Sequence, residues 1–140
     1  MLERVGISLE DSLLAQFDRL IKRRGYANRS EAIRDLIREQ MVQQEWTELG
    51  KDDAERVAVV MLVYDHDSSS LAQKLTHIQH EHHGTVVSAL HVHLDPHNCL
   101  EVLILRGGAS EILSMGEALV STKGVKFGKV MPATTGRHLR

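Results

Sequence analysis

The first 46 residues carry the apolar pattern of one strand followed by two helices. Apolar and polar residues alternate strictly over positions 4–9, which predicts a short amphipathic strand. Helical spacing then begins behind a capping-box-like start, Ser8-Leu9-Glu10-Asp11, and runs to Gly25. A second capping box, with Asn28 as N-cap and Glu31 three residues later, begins a longer helix whose apolar stripe extends toward Trp46.

The predicted strand at 4–9 has no partner strand within this segment. An unpaired strand leaves its backbone N–H and C=O groups without hydrogen-bond partners along both edges. A second copy of the chain can supply an antiparallel partner about a two-fold axis. We therefore expect this segment to form an obligate dimer.

The net charge of −2 conceals a basic segment between positions 19 and 38. It holds seven basic residues against two acids, Glu31 and Asp35. Such a segment is a candidate phosphate-facing surface, although most charge runs are solvated helix faces. The start of the second helix, at 28–30, also offers backbone N–H groups and a positive dipole end to a phosphate. The alternative is that the strand only dimerises and the basic residues keep the protein soluble.

The order of strand, basic helix and capped helix resembles the ribbon-helix-helix family of DNA-binding domains. In that family a two-stranded ribbon enters the major groove and the outward residues of the strand read base edges. The resemblance implies base contacts from the outward residues Arg4, Gly6 and Ser8, of which Gly6 has no side chain to read a base. The expected phosphate contacts are Asn28, Arg29, Ser30 and Arg34.

The pattern changes after the polar segment 50–53. Positions 57–64 are a nearly continuous apolar run, which predicts a strand covered on both faces. Helical spacing follows at 71–82, then strands at 85–94 and 99–105, helical spacing at 112–120, and a strand at 125–130. The order βαββαβ is the ferredoxin-like arrangement, which small-molecule sensor domains of the ACT type share.

The predicted fold class is therefore α+β, in two domains. We expect a ribbon-helix-helix (βαα) domain for dimerisation and DNA binding at 1–49, a linker at 50–55, an ACT-like domain at 56–132, and a mobile tail at 133–140. At 140 residues and 42% hydrophobic, the chain can bury one modest core or two small ones. The single cysteine excludes an intramolecular disulfide. No signal-like or membrane-spanning stretch is visible, so the expected location is cytoplasmic.

A metal site is predicted at the hairpin around positions 91–99. His91 and His93 alternate correctly to lie on one face of a strand, about 6 to 7 Å apart. The turn at 95–98 then brings Cys99 alongside them. Two imidazoles and a thiolate suit Ni, Cu, Zn or Co, and do not suit Mg or Ca, which prefer oxygen. Taken singly, each of the three residues is more often an ordinary strand or core residue.

A fourth ligand is expected from the segment Gln79-His80-Glu81-His82-His83. His82 continues the apolar stripe of its helix, whereas His80 and His83 lie on a different face. Helices pack on one face of the sheet, and His91 and His93 could project from the other. A ligand from a second subunit is then the simplest geometry.

The two segments together resemble the nickel-responsive transcriptional regulator family (NikR). The resemblance covers residues 2 to about 130 and lies in the QHxHH segment at 79–83, the LHVHLxxxxCLE hairpin at 90–101, and the RSEAIRDLIR helix at 29–38. It implies a planar Ni(II) site, one per subunit, with His91, His93 and Cys99 from one subunit and His80 from another. Gln79 and Glu101 match residues that orient the ligands.

The resemblance also implies an assembly and a role. Glu31 and Asp35 match a second, weaker cation site. The assembly is a homotetramer of four sensor domains flanked by two ribbon-helix-helix dimers, bound to double-stranded operator DNA. The implied function is a nickel-dependent repressor, most naturally of nickel-uptake genes, with no enzymatic activity.

Two departures and three alternatives accompany this interpretation. Gly6 stands where the family usually has a hydroxyl residue, and Ser68, Ser69 and Ser70 stand in a loop where relatives carry basic residues. Imidazoles and a thiolate would also bind Cu, Co or Zn, and a small molecule could be the signal in a domain of the same fold. A zinc hydrolase is the third alternative. It is disfavoured because a fourth protein ligand closes the site and no general base stands beside it.

Overall fold

The structure is a computed structural model of one chain, and it describes residues 1–48, 55–137 and 139. The chain divides into two compact units, Met1–Met41 and Val42–Arg140. All of the predicted linker except position 55 lies outside the described residues. No helix of the described residues is long and apolar enough to cross a membrane.

The first unit contains helix α1 (Asp11–Arg24) and the start of helix α2 (Arg29–Thr47). The predicted capping box at 8–11 is wrong, because the N-cap is Glu10 and its side chain makes no capping hydrogen bond. Gly25 ends α1 as predicted, with a φ of 76° that favours glycine. The second capping prediction is confirmed in its main contact, since Asn28 Oδ1 accepts a 2.9 Å hydrogen bond from the backbone N–H of Glu31.

The N-terminal segment 1–10 is not a strand in the single chain. A strand exists only through pairing, and no described part of the chain pairs with this segment. Its apolar residues are exposed, with Val5 at 80% and Ile7 at 61% of full exposure. The alternation seen in the sequence therefore has no buried face within one chain.

The second unit folds in the predicted order βαββαβ. Its elements are β1 (Arg56–Asp65), α3 (Ser69–Glu81), β2 (Val86–His93), β3 (Asn98–Gly107), α4 (Ala109–Val120) and β4 (Val125–Pro132). The sheet is antiparallel in the order β2-β3-β1-β4, so β2 and β4 are edge strands. This is the ferredoxin-like arrangement, and the α+β class is confirmed.

The core of the second unit lies on the face of the sheet that α3 and α4 cover. Buried residues on β1 alternate, with Ala58, Val60 and Leu62 fully buried and the residues between them half-buried. The prediction that β1 is covered on both faces is therefore wrong for one chain. Helices reach only one face, and the opposite face remains apolar and partly exposed. Trp46, near the end of α2, joins this core and donates its indole N–H to the carbonyl of Ala133 at 2.9 Å.

Candidate metal centre and nucleic-acid surface

The β2–β3 hairpin brings the predicted hairpin ligands to one face of the sheet. His93 pairs with Cys99 in the register, and His91 pairs with Glu101. Residues directly opposite each other on antiparallel strands share a face, so all four side chains project the same way. The predicted turn therefore brings Cys99 beside the two histidines, as the proposed ligand set requires.

The turn of this hairpin is fixed by Asp95. Its carboxylate accepts hydrogen bonds from the Asn98 side chain at 2.8 Å and from the backbone N–H groups of Asn98 and His97 at 2.7 and 2.8 Å. These hydrogen bonds lower the pKa of Asp95 to about 2, and the bond from the Asn98 side chain contributes most. The carboxylate therefore stays ionised near neutral pH and fixes the register that sets Cys99 opposite His93.

The His91 ring lies between the thiol and a buried carboxyl group. Its Nδ1 is 3.7 Å from Cys99 Sγ, and its Nε2 is 3.4 Å from Glu101 Oε1. Cys99 and Glu101 are each 1% exposed, whereas the side chain of His91 is 53% exposed. The site is therefore closed on the core side and open on the other.

The register decides which face carries the histidines, which the sequence left open. His91 and His93 lie on the face that the helices cover, because their partners Cys99 and Glu101 point into the core. The histidines still remain open to solvent because β2 is an edge strand, exposed along nearly its whole length. A ligand from elsewhere can therefore approach from this side.

Glu101 is held by two side chains that also border the site. Tyr64 donates its hydroxyl to Glu101 Oε2 at 2.6 Å, and Gln79 donates its amide to Glu101 Oε1 at 2.9 Å. Burial, and then the hydrogen bond to Glu101, raises the pKa of Tyr64 above its usual range, so its proton stays in place. Gln79 and Glu101 are thus brought together as the resemblance implied.

Tyr64 was not predicted as part of the site. A signal existed, because Tyr64 is the last core-facing residue of β1 and lies opposite Cys99 in the register. The relative register of β1 and β3 is a long-range property, however, and the apolar pattern alone does not fix it. His66 was also missed, and its ring meets the edge of the His93 ring with centroids 4.7 Å apart.

His80 is not brought to the hairpin ligands within one chain. It is exposed on the last turn of α3, where it lines a shallow groove with Ala72 and Thr76. Its neighbour Gln79 faces Glu101, and successive helix residues are turned by about 100° from each other. Among the described residues, the one group of three His, Cys, Asp or Glu side chains with ligand atoms within 4.8 Å of one another is elsewhere, at Asp65, Asp67 and His97.

The donor set at the hairpin fits a borderline transition metal. One thiol and two imidazoles lie on one face, and a buried carboxyl held by two neighbours lies beside an imidazole nitrogen. Metal-bound histidines commonly give their second ring nitrogen to such a carboxylate, which fixes the ring. Three protein ligands of this kind leave at least one coordination position for a further ligand.

Removing the Tyr64 hydroxyl should weaken metal binding without removing a ligand. In Tyr64→Phe, Glu101 loses one of its two donors, so the carboxyl that borders the His91 ring is less well fixed. We expect nickel affinity to fall by about 10- to 100-fold, measured by competition with a chelator of known affinity. Tyr26→Phe is the matched control, because Tyr26 donates to an exposed carboxylate, that of Asp35, in the other unit. An unchanged affinity in Tyr64→Phe would remove Glu101 from this role.

The residues expected to read bases lie on the N-terminal segment. Arg4, Gly6 and Ser8 are all exposed. Nothing lies within 4 Å of the position that a Cβ on Gly6 would occupy, so the missing side chain leaves open space and not a close backbone approach. The structure therefore gives no packing reason for glycine at this position.

The residues expected to contact phosphate are only partly available in the single chain. Arg29 makes a bidentate ion pair with Asp18, with both N···O distances 2.9 Å. This contact holds the pKa of Asp18 below its usual range. The side-chain oxygen of Asn28 accepts a hydrogen bond from the backbone N–H of Glu31. Ser30 is exposed. A phosphate at Arg29 would have to share or displace the Asp18 carboxylate.

The carboxylates suggested as a second cation site lie among basic side chains. Asp35 accepts hydrogen bonds from the Tyr26 hydroxyl at 2.9 Å and from Arg38 at 3.1 Å. Glu31 and Arg34 line the same concave surface, about 260 Å³ in volume. Arg38 thus already supplies positive charge to Asp35, which reduces the need for a bound ion.

Two parts of the chain match known protein families. Residues 57–133 match the family described as "NikR C terminal nickel binding domain", and residues 3–44 match "Ribbon-helix-helix protein, copG family". The first match spans more than half of the chain. The chain belongs to the family of nickel-responsive regulators. This is a family of transcription regulators and not of enzymes.

Relatives of the nickel-responsive regulator family match along nearly the whole chain. One from Anaeromyxobacter sp. strain K is 70% identical over 139 residues, covering 99% of both chains. One from Geobacter sulfurreducens is 54% identical over 136 residues, covering 97% of this chain and 96% of its own. Both carry the name nickel-responsive regulator. An uncharacterized protein of known structure from Thermotoga maritima, 15% identical with a TM-score of 0.52, covers 58% of this chain and supports the fold alone.

Proposed function

We propose that this protein is a nickel-dependent DNA-binding repressor that controls nickel-uptake genes. The observation that carries the proposal is the β2–β3 hairpin, where His91, His93 and Cys99 share one face beside the buried Glu101. The first unit supplies the DNA-binding half through its match to the ribbon-helix-helix family. A regulator of transcription works beside the chromosome, so we propose the cytoplasm as its location.

The nickel site would use four protein ligands from two subunits. His91, His93 and Cys99 come from one hairpin, and we assign His80 of a neighbouring subunit as the fourth, with one ion per subunit. Support comes from the exposure of His80 and from the open side of the edge strand β2. A bound nickel ion would join two subunits, and it would bind tightly only when all four ligands coordinate it. Tyr64 and Gln79 hold Glu101, and Glu101 orients the His91 ring.

The protein would act as a homotetramer, because two apolar surfaces of the single chain need cover. The outer face of the sheet exposes large apolar side chains from three strands. They are Leu90, Val92, Ile104, Phe127 and Met131. A contiguous apolar surface of this kind is typical of a protein interface. The N-terminal segment is the second surface, and pairing with its copy buries Val5 and Ile7.

DNA recognition would use the paired N-terminal segments. Arg4 and Ser8 have side chains able to read base edges. Gly6 has no side chain, so it would lie at the DNA without a side-chain contact to a base. The start of α2, with Asn28, Arg29, Ser30 and Arg34, would hold the phosphate backbone, and Arg29 would exchange Asp18 for phosphate on binding. Glu31 and Asp35 stay a proposed weak cation site.

The proposal is tested by measuring whether nickel changes DNA binding. Duplexes that the nickel-loaded protein enriches from a random-sequence library would be titrated with loaded and metal-free protein. We expect nickel to raise affinity about 5- to 150-fold, and the same DNA to raise nickel affinity by the same factor. Equal DNA affinity with and without nickel, at concentrations that fill the site, would refute the proposal. Testing copper, cobalt and zinc in parallel decides whether another metal is the signal.

Arg4→Ala identifies the reading surface in the same assay. It should cost about 1 to 3 kcal/mol on the enriched sequence and little on random DNA, with nickel binding unchanged. Arg137→Ala is the matched control, because Arg137 is an exposed arginine of the other unit. If the two variants behave alike, the N-terminal segment does not read bases.

A further inference from the structure

A second cluster of metal-ligating side chains lies where the end of β1 meets the turn of the β2–β3 hairpin. Ligand atoms of Asp65, Asp67 and His97 all lie within 4.8 Å of one another. Asp65 is half-buried, whereas the other two are exposed. All three residues lie within the region that matches the family, and the role proposed for the hairpin ligands uses none of them.

One backbone hydrogen bond joins the two loops of this cluster, and a second hydrogen bond orders the first loop. The N–H of His66 donates to the carbonyl of His97 at 3.0 Å, and the N–H of Asp67 donates to the Asp65 carboxylate at 2.9 Å. Asp65 also pairs with Asn98 in the β1–β3 register. The backbone therefore brings Asp65 and Asp67 close to His97, although they are distant in sequence.

The side chains of the cluster already lie within hydrogen-bonding or ion-pairing distance of one another. His97 Nδ1 is 3.0 Å from Asp67 Oδ2, and His66 Nδ1 is 3.3 Å from Asp67 Oδ1. A metal about 2.1 Å from each ligand needs ligand atoms no more than about 4.2 Å apart. The present separations are close to this limit, so small rotations of the exposed side chains are enough to close the site.

We propose that Asp65, Asp67 and His97 form a second metal site, which binds a divalent ion such as manganese, cobalt or zinc. Two carboxylates and one imidazole suit such ions, and the absence of a thiolate from the set disfavours copper and nickel relative to the hairpin site. Water completes the coordination because the site is open to solvent. His66 is adjacent and is a candidate fourth ligand.

An ion at this site would stiffen the base of the nickel-binding hairpin. It would tie the loop after β1 to the turn at 95–98, next to Cys99. The His66 ring, one residue from both aspartates, also contacts the ring of His93. This site rests on its own geometry, so it can exist whether or not the hairpin binds nickel.

Mn(II) is the probe that separates the two sites, since carboxylates suit it and thiolates do not. Full-length protein would first be loaded with one Ni(II) per chain, and then titrated with Mn(II) while free Mn(II) is followed by electron paramagnetic resonance. We expect a class of bound Mn(II) whose affinity falls at least 10-fold in both His97→Ala and Asp67→Asn. His83→Ala is the matched control, since it removes an exposed imidazole elsewhere in the same unit.

The variants decide the result because Glu31 and Asp35 could also hold Mn(II). No Mn(II) binding by the parent protein, or parent-like affinity in either His97→Ala or Asp67→Asn, would overturn the second site. Circular dichroism of each variant checks folding, and Asp67→Asn preserves side-chain shape. Failure of the first, nickel-loading step would instead count against the proposed function and leave the Mn(II) comparison intact.

Discussion

Cys99→Ala should abolish tight nickel binding, with a loss of more than about 100-fold in affinity, beyond the loss typical of residues that only orient a ligand. Cys99 is the only thiol in the chain, and its sulfur lies 3.7 Å from Nδ1 of His91. Nickel-dependent DNA binding should disappear with it. The measurement is a chelator competition, together with the charge-transfer absorption that a nickel–thiolate bond produces.

The fold needs a separate check because Cys99 is buried. Truncating its side chain removes one sulfur atom from the core, so the metal-free variant should keep its secondary structure with a modestly reduced free energy of unfolding. His83→Ala, an exposed histidine of the same unit, is the control and should bind nickel like the parent. A Cys99→Ala protein that binds nickel as tightly as the parent would show that the hairpin is not the site.

Local features of this fold were readable from the sequence because they depend on near neighbours. The N-cap of α2 at Asn28, the end of α1 at Gly25 and the hairpin turn before Cys99 each need only a few residues in order. The order βαββαβ follows from apolar periodicity, which the second unit shows clearly. These predictions are confirmed by the hydrogen bonds and the sheet order.

Two features that the sequence pattern predicted are not formed within one chain. The alternation at 4–9 and the apolar run at 57–64 both describe faces buried against something. In the single chain, segment 1–10 is exposed and β1 is packed on one face only. The apolar pattern shows that these faces favour burial, but it does not show which chain covers them.

Features that depend on distant pairing were missed. The contact of Tyr64 with Glu101 needs the register of β1 against β3, and the ion pair of Arg29 with Asp18 needs the packing of two helices. The face of His91 was left open by the sequence, because it follows from pairing with Glu101 and not from spacing along β2. The candidate ligands were nevertheless readable, since two histidines and the single cysteine fall on one hairpin.

The second large effect concerns which chain supplies His80. If each site takes His80 from one subunit and His91 from another, neither His80→Ala nor His91→Ala alone can bind nickel tightly. Mixed assemblies of the two variants can, since a site is intact when a His91→Ala chain donates His80 to a hairpin of a His80→Ala chain. Random assembly of equal amounts then restores about one quarter of the parent sites.

A second mixture makes the experiment decisive. Parent chains mixed with chains that carry both His80→Ala and His91→Ala should also give about one quarter of the parent sites if ligands come from two chains, because both donors must be parent. If all ligands came from one chain, this mixture would give about one half, and the first mixture would give none. Tight sites counted by chelator competition, in hybrids confirmed by mass spectrometry, distinguish the two arrangements. The exposure of His80, and its absence from any cluster with the described hairpin residues of its own chain, is the reason to expect the first result.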